Sequence, residues 1–264
     1  MDIDILVDIA EQAGQLTLKY FGQNPEVYTK SDQSPLTLAD LEAEGYIIEH
    51  LKASWAHIPI VSEEANDHEA LQSQLVDKAA FFLVDPLDGT KEFLNNRPEF
   101  TVNIALIDGG VPVVGVVHAP ALETTYYAER GQAALKKTAR GTERIFCSRH
   151  DGEGALSVLA SRSHRDEKTE QFLNRINLQE TVAIGSSLKF CLLAEGKADL
   201  YPRFGPTMEW DVAAGDCVYR NAAHEEVNPS PFVYGKSGYR NGPFLIGAIS
   251  PTTRVLFDSL ADGK

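Results

Sequence analysis

The chain has 264 residues and a formal net charge of −14 at neutral pH. This acidic balance argues against a nucleic-acid polymer as partner, because binding one needs a basic surface, and no apolar run approaches the roughly 20 residues that span a bilayer. The three cysteines lack metal-ligand spacing and the first residues are acidic, so we expect buried free thiols and a cytoplasmic location.

Helices come first among the predicted elements, and strands follow them. Apolar spacing predicts a helix over residues 2–21, and Thr37 is predicted to cap a second helix that runs to about Ala53. Strands are predicted near residues 58–62, 80–85, 101–108, 112–118 and 124–129. We therefore predict an N-terminal α+β half over residues 1–135, bounded by the polar stretch 136–142.

The second half, residues 136–264, alternates strand and helix more regularly. Strands are predicted at residues 156–160, 182–184 and 199–203, and helices at residues 166–176, 187–195 and 211–222. This alternation is typical of a mostly parallel sheet. Periodicity alone thus supports two α/β units in one chain.

An acidic turn follows the second predicted strand. It reads Asp85-Pro86-Leu87-Asp88-Gly89-Thr90 and places two carboxylates three residues apart. Pro86 holds Asp85 in extended geometry, and Gly89 and Thr90 offer backbone N–H groups at a helix start, where anions are favoured. The turn suggests a divalent metal and a phosphate ester in one place. The alternative is an ordinary strand-to-helix connection, since Asp-Pro and Asp-Gly are common turn dipeptides.

Two further acidic segments favour the metal interpretation. Glu63 and Glu64 end another apolar strand, and Asp211 opens a helix. All the candidate ligands are carboxylates, and hard oxygen donors favour Mg²⁺ or Mn²⁺ over zinc. Bound cations would also reconcile the negative net charge with an anionic substrate. Each residue considered alone has an alternative interpretation: Asp211 as the N-cap of a helix, and Glu63 as a solvated acid in a loop.

These acidic motifs, in this order, resemble the magnesium-dependent, lithium-sensitive phosphomonoesterase superfamily that includes inositol monophosphatase. Segments 34–40, 185–190 and 201–207 resemble its branch of 3'(2'),5'-bisphosphate nucleotidases of the CysQ type. The resemblance covers nearly the whole chain. It implies an α/β (α+β) fold, a layered αβαβα sandwich of the inositol monophosphatase/fructose-1,6-bisphosphatase type, with the site between the halves. It also implies hydrolysis of adenosine 3',5'-bisphosphate to AMP and phosphate, which clears a by-product of sulfate assimilation, and inhibition by Li⁺ or Ca²⁺.

The resemblance implies a ligand set and a catalytic pair. The positions that match the family's metal ligands are Glu63, Asp85, Asp88, Asp211 and the carbonyl of Leu87. They imply two or three Mg²⁺ ions, with Mn²⁺ as a substitute, that clamp the attacking water and the leaving oxygen. Thr90 and Asp40 match the family's Thr-Asp pair, which orients a metal-bound water, while Glu64 binds a second-shell water or supports the turn. The alternatives are helix capping for Thr90 and an ordinary first-turn acid for Asp40.

A second anion site is predicted in the C-terminal half. Ser186 and Ser187 precede a helix, Lys189 lies in its first turn and Arg203 ends the following strand. In the alternative interpretation Ser187 caps the helix, and the side chains of Lys189 and Arg203 are solvated. In nucleotidase-like relatives this pattern holds the second phosphate, and His164 matches a position near the nucleotide, with a surface-loop histidine as the alternative. The substrate contacts implied in total are Glu63, Leu87, Asp88, Gly89, Thr90, His164, Ser187, Lys189, Arg203 and Asp211.

Two other functions stay open at this point. An inositol-monophosphate or sugar-phosphate phosphatase would use the same metal site, and it predicts that Lys189→Ala leaves turnover nearly unchanged. A catalytically silent nucleotide-binding protein would have lost a ligand or the Thr-Asp pair, and none is lost here. The expected partner is a small nucleotide bisphosphate, and Tyr234 and Tyr239 are candidates for stacking its adenine. The oligomeric state is left open between monomer and homodimer, and no basic amphipathic helix supports peripheral association with the inner membrane.

Overall fold

A computed structural model describes residues 1–23, 27–29, 35–65, 68, 80–162, 166–223 and 230–263. Over these residues the chain forms two large sheets with helices packed on both faces of each sheet. None of the described helices has the length and apolar character needed to cross a membrane.

The helices are spread along the whole chain. In chain order they are α1 (Ile3–Leu18), α2 (Leu38–Trp55), α3 (Thr90–Leu94), α4 (Glu167–Leu173), α5 (Leu188–Ala194), α6 (Glu209–Ala222) and α7 (Pro251–Ala261). The sequence supplies caps for several of them. Thr37 caps α2 as predicted, because its hydroxyl accepts a hydrogen bond from Ala39 N at 3.2 Å.

Most strands lie in the two large sheets. In chain order they are β1 (Val27–Thr29), β2 (Pro35–Thr37), β3 (Ile60–Ser62), β4 (Ala80–Asp88), β5 (Thr101–Asp108), β6 (Val111–Ala119), β7 (Thr124–Glu129), β8 (Leu135–Thr138), β9 (Gly141–Arg144), β10 (Leu156–Ser161), β11 (Leu178–Ile184), β12 (Leu200–Arg203), β13 (Thr207–Met208), β14 (Arg240–Asn241) and β15 (Phe244–Gly247). The first large sheet has the order β3-β4-β5-β6-β7-β8-β9, and the second has the order β11-β10-β12-β15. The short pairs β1-β2 and β13-β14 complete the set.

Strand direction differs between the two large sheets. In the first, β3 and β4 are parallel and the other pairs are antiparallel. In the second, β10 is parallel to both β11 and β12, while β15 is antiparallel to β12. The prediction of a mostly parallel second sheet is therefore confirmed.

Buried apolar side chains stack these elements in five layers. Helices α1 and α2 cover one face of the first sheet, where Leu6 and Ile47 join the cluster that contains Phe82. Helices α5 and α6 fill the space between the sheets, and Phe190 belongs to that central cluster. Helices α4 and α7 cover the outer face of the second sheet through a cluster that includes Phe172. The predicted αβαβα sandwich is confirmed.

The polar stretch 136–142 is the main difference from the predicted elements. It forms the hairpin of β8 and β9, which extends the first sheet to Arg144. Polar side chains suit this position because β9 is an exposed edge strand. The division into halves at residue 135 stays a proposal. The three cysteines are buried free thiols, as expected.

We expect Gly14→Ala to destabilise the protein by about 1–3 kcal/mol, because overpacking displaces well-packed groups. A methyl group at Gly14, on α1, would lie 2.5 Å from Cδ2 of the buried His118 ring. Gly45 on α2 is the matched control, since a methyl group there meets no atom within 4 Å. Gly45→Ala should raise the melting temperature through helix propensity. Equal melting temperatures for the two variants would contradict the close packing of α1 on β6.

The buried, neutral His118 contributes stability that is lost as pH falls from about 6.5 to about 4. Burial lowers the pKa of His118 from 6.5 to about 4, opposed by the nearby charge of Glu11. The unfolded chain therefore takes up a proton in this window before the folded protein does, which costs about 3 kcal/mol in total. The His118 Nδ1 atom lies 2.9 Å from the Thr125 hydroxyl, which donates to Glu11.

Urea unfolding at several pH values measures this loss. Between pH 6.5 and 4 the variant His118→Gln should lose about 3 kcal/mol less stability than wild-type protein does, whereas the same change at the exposed His57 should leave the wild-type pH dependence unchanged. An unchanged slope in His118→Gln would assign the acid sensitivity to other groups.

Candidate functional site

A bulge in β4 shapes the predicted acidic turn. Asp85 pairs with Asn103 of β5 and Asp88 pairs with Thr101, so that two residues of β4 lie opposite one residue of β5. The Asp85 carboxylate accepts a hydrogen bond from Leu87 N at 3.1 Å, which fixes the turn. Both aspartates line a cleft of about 210 Å³.

Glu63 and Asp211 reach the same cleft from other elements. Strand β3 is parallel to β4, so both end at one edge of the sheet, and Glu63 N donates to the Val84 carbonyl at 3.0 Å. Asp211 lies in the first turn of α6, where its carboxylate accepts from Met208 N at 2.8 Å. One carboxylate oxygen each of Glu63, Asp85 and Asp211 lies within 4.8 Å of the other two. Residues distant in sequence thus form one acidic cluster.

Burial and mutual repulsion both act on this cluster. Burial raises the pKa of Asp85 well above its ordinary value, and the charge of Glu63 adds to the effect. Burial likewise raises the pKa of Asp211, with Asp88 as the next cause. The pKa of Asp88 itself rises to about 6 through burial, against the opposing charge of Lys189.

The acidic cluster fits a divalent cation. Within the described residues, Asp85 Oδ2 is buried without a hydrogen-bond partner. Such an oxygen is costly unless a cation or donor meets it. A bound divalent ion would satisfy it and neutralise the repelling carboxylates, and oxygen ligands of this kind are those of Mg²⁺ or Mn²⁺.

Gly89 and Thr90 form the turn beside the acidic cluster. Gly89 adopts a left-handed conformation with φ of 92°, and a methyl group there would lie 3.2 Å from the Glu99 carbonyl. The Thr90 hydroxyl donates to the carbonyl of Leu87, one of the predicted ligands, at 3.3 Å. Both residues line the cleft.

Asp40 is buried at the first turn of α2. Its carboxylate accepts hydrogen bonds from Thr37 N at 2.8 Å and from the Thr37 hydroxyl at 2.6 Å. The residue is only 1% exposed, so it is not an ordinary solvated acid. The catalytic pairing of Asp40 with Thr90 stays a prediction.

Ser187 forms hydrogen bonds to two of the residues in the predicted ligand set. Its backbone N–H donates to Asp88 Oδ2 at 2.7 Å, and its hydroxyl donates to the carbonyl of Asp211 at 2.5 Å. Asn103 of β5 donates to the same hydroxyl at 3.0 Å. The Ser187 side chain does not cap α5. It connects β4, β5, α5 and α6, while its predicted contact with substrate is untested.

Lys189 and Arg203 bring positive charge to the same cleft. Lys189 is only 6% exposed and donates to the carbonyl of Ser186 at 2.6 Å. Burial lowers the pKa of Lys189 to about 8, while the charge of Asp88 opposes this. Arg203 donates to the carbonyls of Gly205 and Pro206 at 3.2 and 3.4 Å. Both cations line the cleft, so neither is a distant solvated charge.

The cleft also contains residues that the sequence did not single out as contacts. They are Pro35, Lys91, Glu92, Ser161, Gly185, Phe190, Tyr201, Thr207 and Val212. Glu92 lies one helical turn after Gly89, and this spacing was the available signal for it. Tyr201 and Ser161 lie on β12 and β10, and only the sheet order brings these two strands together.

The start of α6 is anchored by neighbours that sequence reasoning missed. Glu209 is fully buried and accepts hydrogen bonds from the N–H groups of Gly235 and Lys236 at 2.7 and 3.0 Å. The His68 ring stacks on Trp210 at 4.8 Å, and its Nε2 atom lies 2.7 Å from the Ser62 carbonyl. These contacts hold the first turn of α6 near the residues that follow β3.

Three remaining site predictions concern Glu64, His164 and the two tyrosines. Glu64 is half-buried beside Glu63, and its role is untested. His164 lies outside the described residues. Tyr234 and Tyr239 are 4% and 1% exposed and belong to the central apolar cluster, which leaves their rings no free face for an adenine.

Comparisons with known proteins agree with this geometry. The profile of the Inositol monophosphatase family matches residues 2–249. Over 218 residues the chain is 44% identical to the 3'(2'),5'-bisphosphate nucleotidase CysQ of Salmonella typhimurium, which covers 82% of this chain and 86% of that protein. It resembles the crystal structure of CysQ from Bacteroides thetaiotaomicron with a TM-score of 0.75 and 33% identity, covering 93% of this chain and 97% of that one. An IMPase from Thermotoga maritima shares the fold with a TM-score of 0.80 at 22% identity, covering 99% and 98% of the two chains. The chain therefore belongs to the inositol monophosphatase family.

Proposed function

We propose that this protein is a Mg²⁺-dependent phosphomonoesterase that hydrolyses adenosine 3',5'-bisphosphate to AMP and phosphate. One observation carries the proposal: a carboxylate cluster suited to cations and the buried cation Lys189 line the same cleft. Two phosphates on one small molecule can engage the two regions together. The relative from Salmonella typhimurium is a 3'(2'),5'-bisphosphate nucleotidase, which agrees with this substrate class.

The proposed ligands are Glu63, Asp85, Asp88, Asp211 and the Leu87 carbonyl. We propose two or three Mg²⁺ ions, with Mn²⁺ as a substitute and Li⁺ or Ca²⁺ as inhibitors. When bound, such ions neutralise charge on the phosphate and lower the pKa of water. The protein contributes by holding these ligand oxygens close together. It does so because β3 and β4 end, and α6 begins, at the acidic cluster.

The chain's own groups complete the proposed mechanism. The N–H groups of Gly89 and Thr90 are the proposed donors to the phosphate that is transferred. The Thr90 hydroxyl orients the attacking water, and Asp40 takes up the proton that Thr90 passes on. Lys189 and Arg203 bind the second phosphate, Lys189 through its ammonium and Arg203 through its guanidinium fork.

Phosphate release in Mg²⁺ tests the proposal, with adenosine 3',5'-bisphosphate and inositol 1-phosphate compared at equal concentration. We expect a nucleotide preference of about 100-fold, which corresponds to about 2.7 kcal/mol in the transition state. Equal rates, or a preference for inositol phosphate, would overturn the nucleotidase assignment and leave a metal-dependent phosphatase. Binding of the bisphosphate without phosphate release would indicate a silent binding protein.

A further inference from the structure

The ammonium group of Lys189 is held by backbone carbonyls. Among the described residues, it donates to the carbonyl of Ser186 at 2.6 Å and to that of Ile184 at 3.4 Å. Ser186 has a left-handed backbone with φ of 51°, a conformation that persists only where the surrounding structure imposes it. An ammonium has three N–H donors, so one stays available for a substrate phosphate. The position of Lys189 is therefore set by its surroundings.

The aromatic ring of Tyr201 makes a further contact with this ammonium. Lys189 Nζ lies over the ring, 5.7 Å from its centroid. The face of an aromatic ring carries partial negative charge, and it attracts a cation that lies within about 6 Å of the centroid. Tyr201 is only 3% exposed and lines the cleft together with Lys189. A contact shielded from water in this way is stronger than one at an exposed site.

Neighbouring side chains fix the orientation of the Tyr201 ring. It packs edge-to-face against Phe190, with 5.7 Å between the ring centroids, and against Phe244, with 5.2 Å between them. The backbone of Tyr201 is fixed as well, because β12 pairs with β15 and places Tyr201 opposite Ile246. The ring therefore cannot turn its face away from Lys189 without disturbing the packing of both phenylalanines.

The ring favours the positive charge of Lys189, which burial opposes. Burial lowers the pKa of Lys189 to about 8, and the charge of Asp88 acts against this effect. Burial also raises the pKa of Tyr201, so its phenol is neutral and the ring acts through its face and not through a phenolate. A carboxylate beside Lys189 would also favour the ammonium, but it would repel a phosphate. A neutral ring favours the ammonium without that repulsion.

We propose that Tyr201 is a positioning residue whose ring face holds the Lys189 ammonium in place for the second phosphate of the nucleoside bisphosphate. This inference rests on the proposed function. It implies that the nucleotide substrate requires the aromatic ring at this position and not the phenolic hydroxyl. Inositol 1-phosphate has no second phosphate, so its hydrolysis does not depend on the contact between the ring and the ammonium.

The test compares kcat/KM for adenosine 3',5'-bisphosphate with kcat/KM for inositol 1-phosphate in wild-type protein, Tyr201→Leu and Tyr201→Phe. Tyr201→Leu should lower the ratio of the two values by about 10-fold, because it removes the ring face from the ammonium. Tyr201→Phe keeps the ring and should keep the ratio within about twofold of wild type. The ratio does not depend on the fraction of folded enzyme, since the same active sites hydrolyse both substrates.

A matched control separates this role from packing. Phe172→Leu removes a fully buried ring from the cluster on the outer face of the second sheet, and it should keep the wild-type ratio. Equal losses for both substrates in Tyr201→Leu would show that Tyr201 only packs the core, and would overturn the inference. A loss of the ratio in Tyr201→Phe as large as in Tyr201→Leu would assign the effect to the hydroxyl, and would overturn it as well.

A second measurement retains the ring, so it does not depend on the folding of Tyr201→Leu. Phenylalanine analogues with an increasing number of fluorine atoms are incorporated at position 201. Each fluorine makes the ring face less negative while the shape of the side chain changes little, so the ratio should fall stepwise along the series. Equal ratios across the series would exclude a contact through the ring face.

Failure of the inference and failure of the proposed function give different results. If wild-type protein prefers the nucleotide but the ratio is unchanged in Tyr201→Leu and along the fluorine series, the nucleotidase function stands and the role of Tyr201 is wrong. If wild-type protein hydrolyses inositol 1-phosphate but not the nucleotide, the proposed function is wrong and the inference falls with it.

Discussion

Replacing Asp85 by asparagine is expected to lower phosphate release by about three orders of magnitude, while it makes the metal-free protein more resistant to heat. The amide has the shape of the carboxylate but no charge, so it is a poor ligand for Mg²⁺. In the metal-free protein the same change removes a buried acid whose pKa is raised by burial and by Glu63. Because the folded pKa lies above the unfolded value of 3.8, the stability gain should be present at neutral pH and vanish below that value.

Two measurements on one pair of variants check this prediction. Phosphate release is measured in saturating Mg²⁺, and the melting temperature is measured in EDTA. Asp151→Asn is the matched control, since the Asp151 side chain is 79% exposed, and it should change neither quantity. Retention of more than about a tenth of the activity in Asp85→Asn would exclude Asp85 as a metal ligand.

Lys189→Met is expected to lower kcat/KM for adenosine 3',5'-bisphosphate by about 100-fold, because it removes a charge-assisted contact to the second phosphate. Inositol 1-phosphate has no second phosphate, and its kcat/KM should stay within a few-fold of wild type. Folding should survive the change. The Lys189 site is 6% exposed, and methionine fills it without the cost of burying an ammonium.

The pH profile gives an independent test of Lys189. Its pKa is about 8 in the free protein because of burial, so the ammonium loses its proton as pH rises through that value. Hydrolysis of the nucleotide should therefore fall above pH 8 in wild-type protein, whereas hydrolysis of inositol 1-phosphate should not show that loss. Lys197→Met, at a lysine whose side chain is 56% exposed, serves as the matched control. Equal losses for both substrates in Lys189→Met would place Lys189 in the support of Asp88 instead.

The sequence predicted those parts of the fold that local pattern determines. Strands β4 to β7 follow from short apolar runs, and α2 follows from its Thr37 cap. Strands β8 and β9 were missed because β9 is an exposed edge strand and β8 beside it is only half-buried, so that neither shows an apolar pattern. The five-layer arrangement came from the resemblance, since periodicity does not reveal which sheet face a helix covers.

In the site, too, placements set by neighbouring residues in the sequence could be predicted, whereas contacts between distant parts of the chain could not. Asp85 and Asp88 are close in sequence, and their joint placement could be read from the turn. The position of Ser187 could not, because its hydroxyl binds the carbonyl of Asp211 through a contact made only in the folded chain. Glu92 was overlooked for a related reason. Its side chain meets Gly185, from the other half of the chain, only in the folded protein.

The acidic cluster draws its three carboxylates from β3, β4 and α6, elements far apart along the chain. An unfolded chain does not bring these oxygens together, so a cation that binds them binds the native state alone. Mass action then stabilises the protein by about 1.4 kcal/mol for each tenfold rise in free cation above the dissociation constant, for each ion bound. With the proposed Mg²⁺ as that cation, the lifetime of the enzyme in the cell would be coupled to the supply of free magnesium. Starvation for the ion would remove the protein by unfolding as well as by loss of activity.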